Sequence, residues 1–76
     1  MNFLDIYDEL SKKRNLTKMD KCRFLASLPD VTMMSGCEPN AEAVAKFYTK
    51  DDIDELFKYW FGYCKAFRRK DPYIWQ

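Results

Sequence analysis

The side chains best suited to covalent chemistry in this chain are three cysteines, Cys22, Cys37 and Cys64, and the sequence contains no histidine. Histidine is the commonest general base and the commonest metal ligand, so most hydrolytic mechanisms would lack their central group. Cys22 and Cys64 lie among apolar residues in predicted helices, which is typical of core thiols. Cys37 follows Gly36 in a predicted loop and is expected to be the more exposed thiol, although we favour a structural role there as well.

Metal and cofactor sites are not predicted. Three scattered cysteines without a CxxC pair supply neither the number nor the spacing of ligands that structural zinc requires. The acidic residues at 51–55 lack the spacing of a calcium loop and are typical of a first helical turn. Gly36 and Gly62 stand alone, so no glycine-rich phosphate loop is present. We therefore expect a non-catalytic protein with no cofactor.

Basic residues form the first candidate binding surface. Net charge is only +1, but acidic and basic blocks alternate along the 76 residues. Nucleic acid is the partner that a merged basic face would suit, with exposed tyrosines stacking on bases. The pI of 7.6 is low for a dedicated nucleic-acid-binding domain, and pairing with acidic neighbours is the alternative use of these charges. The residues concerned are Lys12, Lys13, Arg14, Lys18, Lys21, Arg23, Lys65 and Lys70, with Arg68 and Arg69 between the last two.

Aromatic residues near the C-terminus form the second candidate surface, which is directed at protein. Trp, Tyr and Arg dominate the energetics of protein interfaces. In a chain this small the same rings could instead complete the core, and both interpretations stay open. The occupant would be a protein partner, a second copy of the chain or the C-terminal tail. The candidate residues are Tyr59, Tyr63, Phe67, Arg68, Arg69, Tyr73 and Trp75.

Helices must position these side chains, because two glycines and three prolines leave little material for the turns of a small β fold. Apolar residues recur with the helical period, most clearly from Ile53 to Phe67. Thr17 with Asp20 resembles a capping box, Asn40 can cap a short helix, and Thr49 with Asp52 repeats the capping pattern. Pro29 is expected to stop the second helix. The predicted helices cover 3–14, 17–28, 40–48 and 50–70, and residues 31–34 are interpreted as a loop in preference to a strand.

The expected architecture is one all-α domain over residues 1–76, a compact bundle of three to four helices with the long helix 50–70 as its central element. No apolar run reaches about 20 residues, so no membrane contact is expected, and an odd number of cysteines favours the reducing cytoplasm. The function predicted is a protein-binding module, such as a stoichiometric inhibitor or adaptor of a larger host complex, of the type that phages and mobile elements encode. The alternative is a small nucleic-acid-binding protein.

Overall fold

The computed structural model describes residues 3–33 and 36–69, and within these residues the chain forms five α-helices and no strand. The all-α prediction is therefore confirmed. The helices are α1 (Phe3–Leu10), α2 (Lys18–Ala26), α3 (Pro29–Thr32), α4 (Ala41–Phe47) and α5 (Lys50–Arg69). As predicted, the longest helix is the last, and it packs against α1 and α2.

Side chains fix the starts of three helices. The backbone N–H of Asp20 donates to Thr17 Oγ1 over 3.1 Å, and the N–H of Thr17 donates to Asp20 Oδ2 over 3.0 Å. This reciprocal pair confirms the capping box. The hydrogen bond from Thr17, followed by that from Lys13, lowers the pKa of the Asp20 carboxyl. Asn40 and Thr49 cap α4 and α5 in the same way, by accepting from the third residue onward.

The first two helices are shorter than predicted. α1 ends at Leu10, since residues 11–14 are polar or charged and offer nothing to bury, and the N–H groups of Lys12 and Lys13 bond three residues back. α2 ends at Ala26, where the N–H groups of Ser27 and Leu28 likewise bond three residues back. Leu28, the residue before Pro29, is extended, as predicted for a residue that precedes proline, so the chain leaves the α region between α2 and Pro29.

Residues 31–34 were predicted as a loop, and that prediction is wrong for Val31 and Thr32, whereas Met33 lies in the turn that follows α3. Val31 and Thr32 lie in the single-turn helix α3, and Met34 lies outside the described residues. Pro29 occupies the first turn of α3, where its fixed φ is favourable and its missing N–H costs nothing. The side chains of Val31 and Thr32 are buried, and Thr32 Oγ1 donates to the carbonyl of Leu28.

The core is built around α2, which contacts each of the other four helices. The apolar residues of α2 surround its axis, which allows this helix to pack on more than one side. Phe24 is fully buried, and its ring meets Phe57 and Phe61 edge to face, each at 5.6 Å between centroids. Phe61 also stacks on Phe57 and contacts Tyr7. These rings join α1, α2 and α5 into one aromatic cluster.

Candidate protein-interaction surface

All three thiols are buried, including Cys37, whose side chain is 8% exposed. Cys37 is therefore the most exposed of the three thiols, as expected, but it is buried and not open to solvent. Gly36 adopts a positive φ of 75° that reverses the chain, and the N–H of Cys37 then donates to the carbonyl of Thr32. Burial raises the pKa of the Cys64 thiol to about 11 and also raises the pKa of Cys22. Both thiols are thus protonated and shielded at neutral pH, which is unsuited to a nucleophile.

Metal-binding geometry is missing from the part of the chain that the structure describes. There, no group of three or more Cys, Asp or Glu side chains lies close enough to hold an ion. Nor is any helix of residues 3–33 and 36–69 long and apolar enough to cross a membrane.

Carboxylates engage four of the predicted basic residues. Lys13 pairs with Asp20 at 3.1 Å, and Lys21 pairs with Asp54 at 3.2 Å while its ammonium lies 5.6 Å from the centroid of the Phe57 ring. The other two pairs join α1 to its neighbours: Arg23 bonds Glu9, and Arg68 holds Asp8 in a bidentate pair of 3.0 and 2.6 Å. Most of these pairs are solvent-exposed and contribute at most about 1 kcal/mol each. Each pair places a positive and a negative group side by side on the surface.

Other basic residues are exposed on two separate parts of the chain. Lys12, Arg14 and Lys18 lie between α1 and the first turn of α2, whereas Lys65 and Arg69 lie on the last turns of α5. Lys70 lies outside the described residues. The basic residues are therefore distributed over at least two regions of the fold.

Exposed aromatic rings gather on α5 and on the end of α4. Tyr59 is 67% exposed and Tyr63 is 40% exposed, and both contact the half-buried Trp60 edge to face, at 5.2 and 5.7 Å between centroids. Phe47 is 54% exposed and contacts Tyr48 at 5.0 Å. We refer to these five residues as the aromatic face. Solvent-exposed large apolar side chains that adjoin one another are typical of interaction sites.

Only part of the predicted protein-binding set lies on this face. Tyr59 and Tyr63 do, and Phe67 follows them half-buried on the same helix. Arg68 lies nine positions after Tyr59, about 180° around the helix, and is bound to Asp8. Arg69 is exposed in the last turn of α5. Tyr73 and Trp75 lie outside the described residues.

Phe47, Tyr48 and Trp60 were not among the predicted protein-binding residues, and the structure adds them to the aromatic face. A signal for one of them was present. Successive helical residues diverge by about 100°, so two adjacent aromatics at the end of a short helix cannot both point at the core. Phe47 is the one that faces outward. Tyr48 keeps its ring half-buried because its hydroxyl donates to the carbonyl of Val31 over 2.8 Å.

A groove runs between Tyr48 and α5 along the edge of the aromatic face. Its volume is about 500 Å³, and it is open to solvent. Leu56 and Tyr59 form its apolar wall, and Asp52 and Glu55 bring two carboxylates to it. A second depression of about 430 Å³ lies beside Arg23, Ser27 and Asn40, but the guanidinium of Arg23 is already bound to Glu9. The groove at Tyr48 thus combines apolar surface with two carboxylates that form no ion pair among the described residues.

Gly62 lies beside this face on the exposed side of α5. An added Cβ at Gly62 would have no heavy atom of the described residues within 4 Å, so this glycine does not serve a close helix contact among α1 to α5. Comparison with protein-family models, with curated proteins and with solved structures found no significant match to this chain.

Proposed function

We propose that this chain is a non-catalytic protein-binding module whose recognition surface is the aromatic face. The observation that carries this proposal is the exposure of Tyr59 and Tyr63 on either side of Trp60 along the longest helix. Their rings are rigid and amphipathic, so they offer contact area at a small cost in conformational entropy. Within the described residues, α5 presents more aromatic surface than its packing on α1 and α2 covers.

A module of this kind acts by occupancy. We therefore propose a stoichiometric inhibitor or adaptor of a larger host complex, of the type encoded by phages and mobile elements, as its biological form. The buried, unpaired thiols suit a reducing compartment, and the cytoplasm is the location that we propose. The unused side of Gly62 favours this form, because a partner could approach the helix backbone closely there.

The experiment is an affinity pull-down from lysate of the native host, with and without nuclease, followed by mass spectrometry. A protein retained in stoichiometric amount after nuclease treatment is the expected result. Tyr59→Ala and Tyr63→Ala should abolish its retention while leaving helix content and Tm nearly unchanged. Lys65→Ala, an exposed position on another side of α5, is the matched control and should retain the partner.

Nucleic acid is the other outcome that this experiment distinguishes. It would show as loss of all specific partners after nuclease, and as weaker retention for Lys65→Ala than for Tyr63→Ala. That pattern would overturn the protein-binding proposal. Binding that falls steeply as salt is raised would support the same conclusion.

A further inference from the structure

The groove between Tyr48 and α5 has the chemistry of a receptor for a positively charged side chain. We propose that it binds an arginine or lysine of an amphipathic segment in the protein partner, with the rest of that segment lying along the aromatic face. This inference rests on the proposed function, and it adds the chemical class of the partner.

The carboxylates at the groove favour a positively charged ligand. Among the described residues, carboxylates at Asp8, Glu9, Asp20 and Asp54 each have a lysine or arginine partner. In that same part of the chain, neither Asp52 nor Glu55 forms such a pair, although both line the groove. Asp52 in the first turn of α5 also stabilises the helix N-terminus. Glu55 lies beyond that turn, where the helix dipole no longer favours an acidic residue.

Two tyrosine rings, of Tyr48 and Tyr59, also line the groove. Tyr48 is held in place by its hydroxyl bond to Val31, and Tyr59 faces it across the groove with most of its ring in solvent. A guanidinium group stacks on tyrosine and pairs with carboxylates at the same time, since its faces and its edges are separate binding surfaces. Two rings and two carboxylates around one groove supply both kinds of contact.

The length of α5 along the groove and the aromatic face suits a helical partner segment. From Asp52 to Tyr63 the helix rises by about 16 Å, which matches about three turns of a partner helix. Leu56, Tyr59 and Tyr63 follow one another along that distance at helical spacing. A partner segment that places its cation near Asp52 and Glu55 would therefore bring apolar side chains onto Tyr59 and Tyr63. Helices recognised in this way are amphipathic and present anchors at i, i+3, i+4 and i+7.

The test uses a displayed library of random 12-residue peptides, selected on the full chain. The groove variant Asp52→Asn/Glu55→Gln removes both carboxylates, and the matched control Glu42→Gln/Asp51→Asn removes two exposed carboxylates that do not line the groove. We expect the wild type and the control to enrich peptides with arginine or lysine beside an aromatic or leucine residue. The Kd of a synthetic selected peptide should rise at least about tenfold on the groove variant and stay within about twofold on the control.

Replacement of the peptide's arginine by citrulline, which keeps the shape and removes the charge, should reproduce the loss on the wild-type chain. Enrichment of neutral or acidic peptides, or no enrichment, overturns the inference. Peptides that need Tyr59 and Tyr63 but bind the groove variant equally well overturn it too, while leaving the proposed function intact. Dissociation of a wild-type dimer by the groove variant, measured by light scattering, would identify a second copy as the occupant and would also overturn it.

Discussion

The two sides of α5 carry similar residues in different surroundings. On the inner side, Phe57 is 9% exposed and Cys64 is fully buried against α1 and α2. On the outer side, Tyr59 and Tyr63 remain in solvent although they follow the same helical period. Residue type alone therefore does not decide which ring enters the core. A ring of α5 is buried where α1 and α2 cover the helix, and it stays exposed on the side that they do not cover.

Polar groups differ between the two sides as well. The inner side is closed by ion pairs, from Asp54 to Lys21 on α2 and from Arg68 to Asp8 on α1. The outer side keeps the carboxylates of Asp52 and Glu55 at a groove with apolar walls. The ion pairs thus lie at the solvent-exposed rim of the helix contacts, whereas carboxylates without an ion pair beside exposed rings are available to a partner. Substitutions on each side should separate stability from recognition.

The largest effect is expected for Phe57→Ala. Its ring packs on Phe24 and Phe61 at the centre of the aromatic cluster, so the truncation leaves a cavity. We expect the free energy of unfolding to fall by about 3 to 5 kcal/mol. Urea unfolding followed by circular dichroism measures this change. A loss below about 1 kcal/mol would show that the inner side of α5 is not the core.

Gly62→Ala should act in the opposite direction. Alanine favours the helix over glycine by about 1 kcal/mol, and an added Cβ at this position meets no atom of residues 3–33 and 36–69. We therefore expect a rise in Tm for the isolated chain, measured by thermal unfolding. The pull-down, repeated with this variant, measures whether the added methyl group also prevents retention of the partner. Lower stability instead of higher would mean that the outer side is covered by another part of the molecule.

Tyr48→Phe tests how the groove is held. The hydroxyl of Tyr48 satisfies a carbonyl of the single-turn helix α3, and its removal should cost about 1 kcal/mol of stability. Peptide affinity for the groove should fall as the ring gains freedom. Tyr59→Phe, whose hydroxyl has no such bond among the described residues, is the control and should leave stability unchanged. Equal effects of the two variants would contradict a positioning role for the Val31 bond.

Local chemistry was sufficient to predict the helix starts and the long helix. Thr17 and Asp20 form their capping box with residues three apart, and the period of α5 is visible in the sequence alone. Both features depend on neighbours within one or two helical turns. Predictions of this kind need no knowledge of tertiary structure.

Features that depend on distant residues could not be predicted. α3 is stable because Val31 and Thr32 are buried, and Cys37 is buried because Gly36 turns the chain back towards Thr32. The partner of Tyr48 lies 17 positions away, and the partner of Arg68 lies 60 positions away. Arg68 was therefore grouped with the aromatic surface, although it faces α1. Arg68 is close to the aromatic residues in the sequence, but the residue that it binds is Asp8 of α1.

The smallest effect on stability is expected for Tyr59→Ala. Two thirds of this side chain lies in solvent, so little apolar surface is exposed by its removal, and the free energy of unfolding should change by less than about 0.5 kcal/mol. The same substitution should eliminate partner binding, because exposed aromatics at the centre of an interface contribute several kcal/mol there. Phe57→Ala and Tyr59→Ala thus form a matched pair, two residues apart on one helix. If Tyr59→Ala unfolds the chain as Phe57→Ala does, both sides of α5 belong to the core and the outer face has no free surface to offer.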